Sequence, residues 1–391
     1  MDALLFHQIL SDKYITDLRR LNYKYPDVDT SELLSLLKAL VYKPLPLQDF
    51  KGNDIVYMES ILRFPINALK RLLTPPYDQV KYGIQAMEDE ISSSFSVESI
   101  ELNRDSVRKI LRGYAPTDEQ EESIYGMKMG LDFMSDRSNA ITEDNIFALY
   151  DMAIGRYLDE GDKLNPGAYY RHDTVYIVGQ DVEHVGLPHQ KIPEYMGSLI
   201  EFINNDSSMN DLLKAAAIHF YVAYIHPYFD GNGRMARLMH IWYLLRQNYP
   251  AALYIPLSQY IHQSRSRYYA AFSLAEQNEK LSGLMDMTPF LAYFIEQVYD
   301  KLGLSRRQVD TLATYQSMLD GGGITVKERD LWTFVLSVYG SAEFSTKQLE
   351  KDFGSAAYAT IRKFVLKFTD MGLLTARQYG SRVRYCVSKR K

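Results

Sequence analysis

The residues of this chain best suited to chemistry lie in one run, His226-Pro227-Tyr228-Phe229-Asp230-Gly231-Asn232-Gly233-Arg234-Met235-Ala236-Arg237. Residues 212–225 before it and 235–245 after it are apolar enough to read as buried helices. A polar turn between two such helices is a costly place for a His, an Asp, an Asn and two Arg unless they face a ligand. The ligand these types suit is a nucleotide phosphate. Asp230-Gly231-Asn232-Gly233 would set a helix N-terminus directly after a turn, where unpaired N–H groups and a partial positive charge favour anions. Gly231 and Gly233 permit close approach of a phosphate to the backbone. Arg234 and Arg237 are neighbours on the first turn and can fork onto phosphate oxygens. Asp230 is a hard oxygen ligand suited to Mg2+, and His226 suits the general base on an incoming hydroxyl.

Two other chemistries fail on the same residues. Read as a calcium loop, the run places Arg237 where a bidentate Glu is required. No Gly-x-x-x-x-Gly-Lys-Ser/Thr phosphate loop occurs. His219 and His240 suit the plainer role of satisfied core histidines.

The elements that must hold this run are mostly helical. Residues 1–78 read as soluble helices punctuated by Pro44, Pro46, Pro65, Pro75 and Pro76, with no chemistry of their own. A serine-rich stretch follows, in which Ser94 and Glu98 stand one helical turn apart. Thr117 with Gln120 marks a helix start reaching about residue 133, and another helix covers about 142–158. Residues 170–178 are rich in strand formers, 179–181 turn the chain, and 182–185 return it as a hairpin. Its unpaired edge could accept an extended segment of another protein, with Thr174, Val175, Tyr176 and Ile177 as the docking residues. Residues 195–204, 258–276 and 289–302 read as further helices, 304–319 as a connector, and Gly321-Gly322-Gly323 as a linker.

Composition bounds the rest. The 391 residues are enough for two or three domains. One cysteine, Cys386, excludes an intrachain disulfide and a Cys-rich zinc site, which fits a cytoplasmic protein. No signal peptide or membrane-length apolar run is read. The chain carries −5 overall, but 13 Lys and Arg against 6 Asp and Glu give residues 324–391 a net +7. That segment reads as three helices and a two-stranded wing, the pattern of a winged helix-turn-helix. Arg362, Lys363 and Lys367 fall on its third helix and Arg377, Arg382 and Arg384 on the wing, a placement suited to DNA phosphates. Winged helices also serve as protein-interaction modules.

The central run resembles the signature of the Fic family, His-x-Phe-x-(Asp/Glu)-Gly-Asn-Gly-Arg-x-x-Arg, departing only at Tyr228, where the family prefers Phe. The resemblance spans about residues 77–302. It implies a Fic-fold helical core, residues 170–185 as its flap, and transfer of AMP from ATP to a Ser, Thr or Tyr hydroxyl of a target protein. By the same resemblance His226 deprotonates the hydroxyl, and Asp230 holds Mg2+ between the α- and β-phosphates. Gly231, Asn232 and Gly233 form the anion hole, Arg234 and Arg237 bind the β- and γ-phosphates, and Tyr268 and Tyr269 contact the nucleotide. The intact glycine-rich part favours AMP transfer over the phosphorylation of Doc-type relatives. The family's inhibitory motif, (Ser/Thr)-x-x-x-Glu-(Gly/Asn), matches at Ser94 and Glu98 and departs at Ser99. This implies an N-terminally self-inhibited member in which Glu98 pairs with Arg237 and excludes the γ-phosphate.

The expectation is therefore a mainly α protein of four parts: a helical extension over 1–77, a catalytic core with inhibitory helix over 78–302, a connector over 303–323 and a winged helix over 324–391. Expected partners are a target protein or the chain itself, DNA through the winged helix, and a second copy; no membrane is expected. Two alternatives stay open: a DNA-binding regulator whose core only senses nucleotide, and a hydrolase that removes AMP.

Overall fold

A computed structural model describes the chain except residues 64–65, 74–78, 179–182, 206–207, 304–322, 336–338, 340–342, 355, 381 and 389–391. The chain clusters into two compact units, one of residues 1–74 with 89–303 and one of residues 75–88 with 304–391. The expected connector over 304–319, and all of the expected linker but Gly323, lie outside the described residues.

The first unit opens with helices α1 (Ala3–Leu10), α2 (Leu18–Lys24) and α3 (Thr30–Leu40), each started by an aspartate whose side chain accepts a backbone N–H. The segment after them is not helical, as the sequence reading had it. Strands β1 (Lys43–Gln48) and β2 (Asp54–Tyr57) form an antiparallel hairpin. Pro44 and Pro46 lie exposed while Leu45 and Leu47 are buried, so the prolines occupy the solvent face of a period-two pattern. Val56 also bonds in parallel to the chain around Asp286. Asn278 accepts the Leu18 N–H at 3.1 Å and donates to the Thr16 carbonyl at 2.9 Å. The stretch expected as an extension is thus packed into the same unit as the core.

Helices α4 (Ile66–Leu73), α5 (Gln79–Val97), α6 (Arg104–Leu111), α7 (Glu119–Ser135) and α8 (Glu143–Ala153) follow. Asp118, not Thr117, caps α7, because its carboxylate reaches the Glu121 N–H at 2.8 Å while the Thr117 hydroxyl turns to the Glu121 side chain. The hairpin is shorter than its sequence suggested. Strand β3 covers Tyr176–Val178 and β4 covers Glu183–Val185, with Tyr176 opposite Val185. Residues 170–175 are held instead by the buried Arg171.

Helices α9 (Ile192–Asn205), α10 (Asp211–Ile225) and α11 (Asn232–Arg246) come next. Helices α10 and α11 are buried almost all round and pack on each other, so they are the spine of the unit. The expected single helix over 258–276 is two, α12 (Leu257–Gln263) and α13 (Arg265–Ser282). Ser264 breaks it, its hydroxyl bonding the Tyr260 carbonyl and the Tyr293 hydroxyl, each at 2.8 Å. The helix expected over 289–302 is likewise divided into α14 (Thr288–Tyr293), a π-helical stretch Phe294–Tyr299 and α15 (Asp300–Gly303).

The second unit has its own core around Trp332, Phe344, Phe364 and Phe368. Helices α16 (Val326–Phe334), α17 (Thr346–Phe353) and α18 (Tyr358–Asp370) precede an antiparallel ribbon of β5 (Leu374–Tyr379) and β6 (Arg382–Val387). Thr325 and Glu328 form a capping box that starts α16.

Candidate active site

The site forms where α10 ends and α11 begins. His226 closes α10 in the left-handed conformation, φ 55°, and Pro227 prevents the helix from continuing. The His226 Nδ1 lies 3.3 Å from the Ala223 carbonyl, which favours the tautomer with hydrogen on Nδ1 and a lone pair on Nε2. Gly231 caps α11 at φ 78°, and a Cβ there would stand 2.4 Å from Ile154 Cγ2. Only glycine satisfies both the dihedral and the contact.

Asn232 holds the loop together from inside. Its side-chain oxygen accepts the Tyr228 N–H and its amide donates to the Tyr228 carbonyl, each at 2.9 Å. With the Asn232 side chain so engaged, what the start of α11 offers an anion is its backbone N–H groups. Tyr228 is fully buried and stacks on Tyr150 with centroids 3.5 Å apart and planes 4° from parallel. Its hydroxyl has no hydrogen-bond partner among the described residues.

Helix α5 brings a carboxylate onto both arginines. Glu98 Oε1 lies 2.6 Å from Arg237 Nη2, and Glu98 Oε2 lies 2.9 Å from Arg234 Nε. Ser94 adds its hydroxyl to Arg237 Nε and its carbonyl to Arg237 Nη2, each at 2.9 Å. The side chains of Arg234 and Arg237 are 7% and 2% exposed and that of Glu98 is 20%, so these are desolvated ion pairs. Burial opposes the Arg237 charge, but Glu98 and nearby groups outweigh it and hold the group above its ordinary range. Arg234 also donates to Asp230 at 3.1 Å. The sequence reading anticipated Glu98 against Arg237; the structure adds Arg234. A Cβ on Gly233 would stand 2.8 Å from Glu98 Oε1, so glycine is also what lets the carboxylate approach.

Glu98 sits at the end of α5, where the Ser99 N–H bonds the Ser96 carbonyl and the Ile100 N–H bonds the Phe95 carbonyl, each at 3.1 Å. This is a Schellman closure with Ser99 in the left-handed position, φ 65°. Upstream, the buried Glu90 carboxylate accepts the Ser258 N–H at 2.9 Å and the Ser258 hydroxyl. Burial raises the Glu90 pKa. Glu90 thereby anchors α5 against α12.

The metal expectation rests on Asp230 alone. Its side chain is 54% exposed and, among the described residues, lends an oxygen only to Arg234. Among the described residues no group of three or more His, Cys, Asp or Glu gathers. One open carboxylate fits Mg2+ held mainly by waters and phosphate oxygens, and does not fit an all-protein metal cage.

Tyr268 and Tyr269 part company. Tyr268 is buried with its hydroxyl 2.8 Å from His219 Nε2, whereas Tyr269 is exposed and donates to the Val97 carbonyl at 3.2 Å. His240 Nε2 pairs with the Tyr299 hydroxyl at 3.0 Å. Of the hairpin residues Thr174 and Tyr176 are exposed and Val175 half-buried, and the Ile177 side chain lies outside the described set. In the second unit Arg362, Lys363, Arg382 and Arg384 are exposed, while Lys367 binds Glu328 at 2.8 Å.

Sequence reasoning missed Arg171. This buried guanidinium donates to the carbonyls of His226, at 2.8 Å, of Asp173 and of Leu187, while its own N–H bonds the Pro227 carbonyl at 3.0 Å. Burial lowers its pKa. It clips the base of the hairpin to the loop that carries His226.

A left-handed histidine, a glycine-capped helix start and two buried arginines thus meet on one turn. Residues 140–244 match the Fic/DOC family. Fic-named relatives extend the match. The chain is 26% identical over 221 residues to the protein adenylyltransferase Fic of Drosophila willistoni, covering 54% of this chain and 40% of that one. It is 24% identical over 265 residues to protein adenylyltransferase fic-1 of Caenorhabditis briggsae, covering 66% of this chain and 46% of that one. The chain spans less than half the length of these curated relatives. A Fic family protein from Desulfovibrio desulfuricans G20 shares the fold at a TM-score of 0.51 and 20% identity, covering 84% of this chain and 98% of that one. Among the described residues no helix is long and apolar enough to cross a membrane.

Proposed function

We propose that this protein transfers AMP from ATP to a hydroxyl side chain of a protein, and that Glu98 restrains it. The observation that carries this reading is the meeting of Arg234 and Arg237 with an intruding carboxylate at the glycine-capped start of α11, one loop from His226. Relatives named protein adenylyltransferase support it.

In this reading His226 Nε2 takes the proton of the target hydroxyl as its oxygen attacks the α-phosphorus. The bond from that phosphorus to the bridging oxygen breaks, and pyrophosphate leaves in line. The N–H groups opening α11 meet developing negative charge, and Arg234 and Arg237 hold the departing phosphates. Asp230 would hold Mg2+, which would neutralise phosphate charge. Glu98 occupies both guanidinium groups, so a triphosphate can take its productive pose only after α5 lets go. Tyr269, the exposed member of its pair, is the nucleotide contact, and Thr174 to Ile177 dock the target as an added strand. The catalytic part, expected over 78–302, rests on residues 89–302, braced by α1 to α3 and the β1–β2 hairpin of the same unit.

ATP labelled on the α-phosphate tests the reading. Glu98→Gly should raise labelling of the protein itself, and adding His226→Ala should abolish it. Labelling that survives His226→Ala sinks the mechanism. Label that transfers only from the γ-phosphate would make the enzyme a kinase instead.

A further inference from the structure

The second unit carries a charge arrangement that folding does not explain. In the ribbon Arg377 stands opposite Arg384, and Tyr379 opposite Arg382. The alternate pairs, Leu374 with Val387 and Ala376 with Tyr385, include the buried Leu374 and Tyr385 and so face the core. Side chains alternate along a strand, so Arg377, Arg382 and Arg384 share the outward face. Like charges directly opposite each other weaken a ribbon. One of the three is compensated, since Arg377 binds Glu343 at 2.7 Å and Glu343 also accepts the Tyr379 hydroxyl at 3.0 Å. Arg382 and Arg384 are exposed, with no hydrogen bond or ion pair among the described residues.

Helix α18 sorts its cations in the same way. Lys367 turns to Glu328, which also closes the capping box of α16, so that lysine is part of the fold. Arg362 and Lys363 face solvent without such a partner among the described residues. Among the described residues the ribbon and α18 therefore hold two classes of cation, those neutralised by the unit's own carboxylates, Arg377 and Lys367, and those left over, Arg382, Arg384, Arg362 and Lys363.

We propose that the leftover cations bind the phosphates of duplex DNA, with Arg382 and Arg384 as the ribbon contacts and Arg377 held in reserve by Glu343. Arg382 and Arg384 lie two positions apart on one strand, about 6.8 Å along it. They suit a ligand that repeats its negative charge at short intervals, as a duplex does. The net +7 of residues 324–391, 13 cations against 6 anions, favours the same class.

The test uses the full chain carrying His226→Ala, so that transfer activity plays no part, and a labelled mixed-sequence duplex titrated at several salt concentrations. Affinity should fall with salt. Arg382→Ala with Arg384→Ala should flatten the slope of log K against log salt by about 1.8, at about 0.9 per phosphate contact. Glu343→Gln should steepen it by about 0.9 as Arg377 is released. Lys367→Ala should leave it unchanged. The proposal is overturned if no salt-dependent binding occurs, if Lys367→Ala flattens the slope as much as the arginine pair does, or if Glu343→Gln weakens binding. Polyglutamate competing as well as the duplex at equal charge would overturn it in favour of an acidic protein. Matching melting curves for parent and variants keep a folding defect from passing as lost contact.

Discussion

Ser99 offers a graded test of the restraint on this site. It occupies the left-handed position that closes α5, at φ 65°, immediately after Glu98. An L-residue with a Cβ loses roughly 1–2 kcal/mol there. Glycine removes that strain but gives back about 0.5–1 kcal/mol in chain entropy. Ser99→Gly should therefore stabilise the closed helix end by about 0.5–1 kcal/mol. If the closure holds only while Glu98 grips Arg234 and Arg237, one kcal/mol shifts the gripped population about fivefold. Basal self-labelling should fall by up to that factor, with a higher melting temperature, while Glu98→Gly with Ser99→Gly should label as fast as Glu98→Gly alone. A raised melting temperature with unchanged basal labelling would show that α5 does not open at this end. Slower labelling in the double variant would show that Ser99 acts other than through Glu98.

Two further outcomes follow from buried groups. Arg171→Met leaves the carbonyls of His226, Asp173 and Leu187 without their donor; self-labelling in the Glu98→Gly background should drop about a hundredfold while ATP affinity measured by calorimetry stays within about twofold, and an equal loss in both would make Arg171 a general stabiliser instead. His240 is pushed by burial from 6.5 down to about 3, so the folded state binds fewer protons than the unfolded chain between those values. Stability from this group is full above pH 6.5 and is lost as pH falls toward 3, by about 1.4 kcal/mol per pH unit. Denaturant titrations at pH 7 and pH 5 should differ by about 2 kcal/mol less in His240→Leu than in the parent, and an unchanged difference would mean that the ring titrates normally.

The twelve residues from His226 to Arg237 were legible because their chemistry is local: a turn, two glycines and two arginines one helical turn apart speak for themselves in sequence. Helices α10 and α11 were legible for the same reason, as predominantly apolar runs interrupted only by single polar residues such as Lys214, His219 and His240. Glu98 came through the spacing of Ser94 and Glu98 together with the family resemblance, not through any local signal that two arginines lay nearby. Arg171 stayed hidden because its partners are carbonyls at positions 187 and 226, and a carbonyl leaves no mark in a sequence. The β1–β2 hairpin did leave a mark, the alternation of Pro44, Leu45, Pro46 and Leu47, but the prolines masked the period. The break at Ser264 depends on a hydroxyl finding Tyr293, so only the folded chain reveals it.

Asn232 gives the site an unusual division of labour. By clasping both backbone groups of Tyr228, it closes the loop into a small ring that needs no ligand to set its shape. A cradle finished in advance loses little entropy when its guest arrives, so it cannot use the guest's arrival as a signal. Under the proposed function timing would then come from outside the cradle, and the element whose carboxylate reaches both of its arginines is α5.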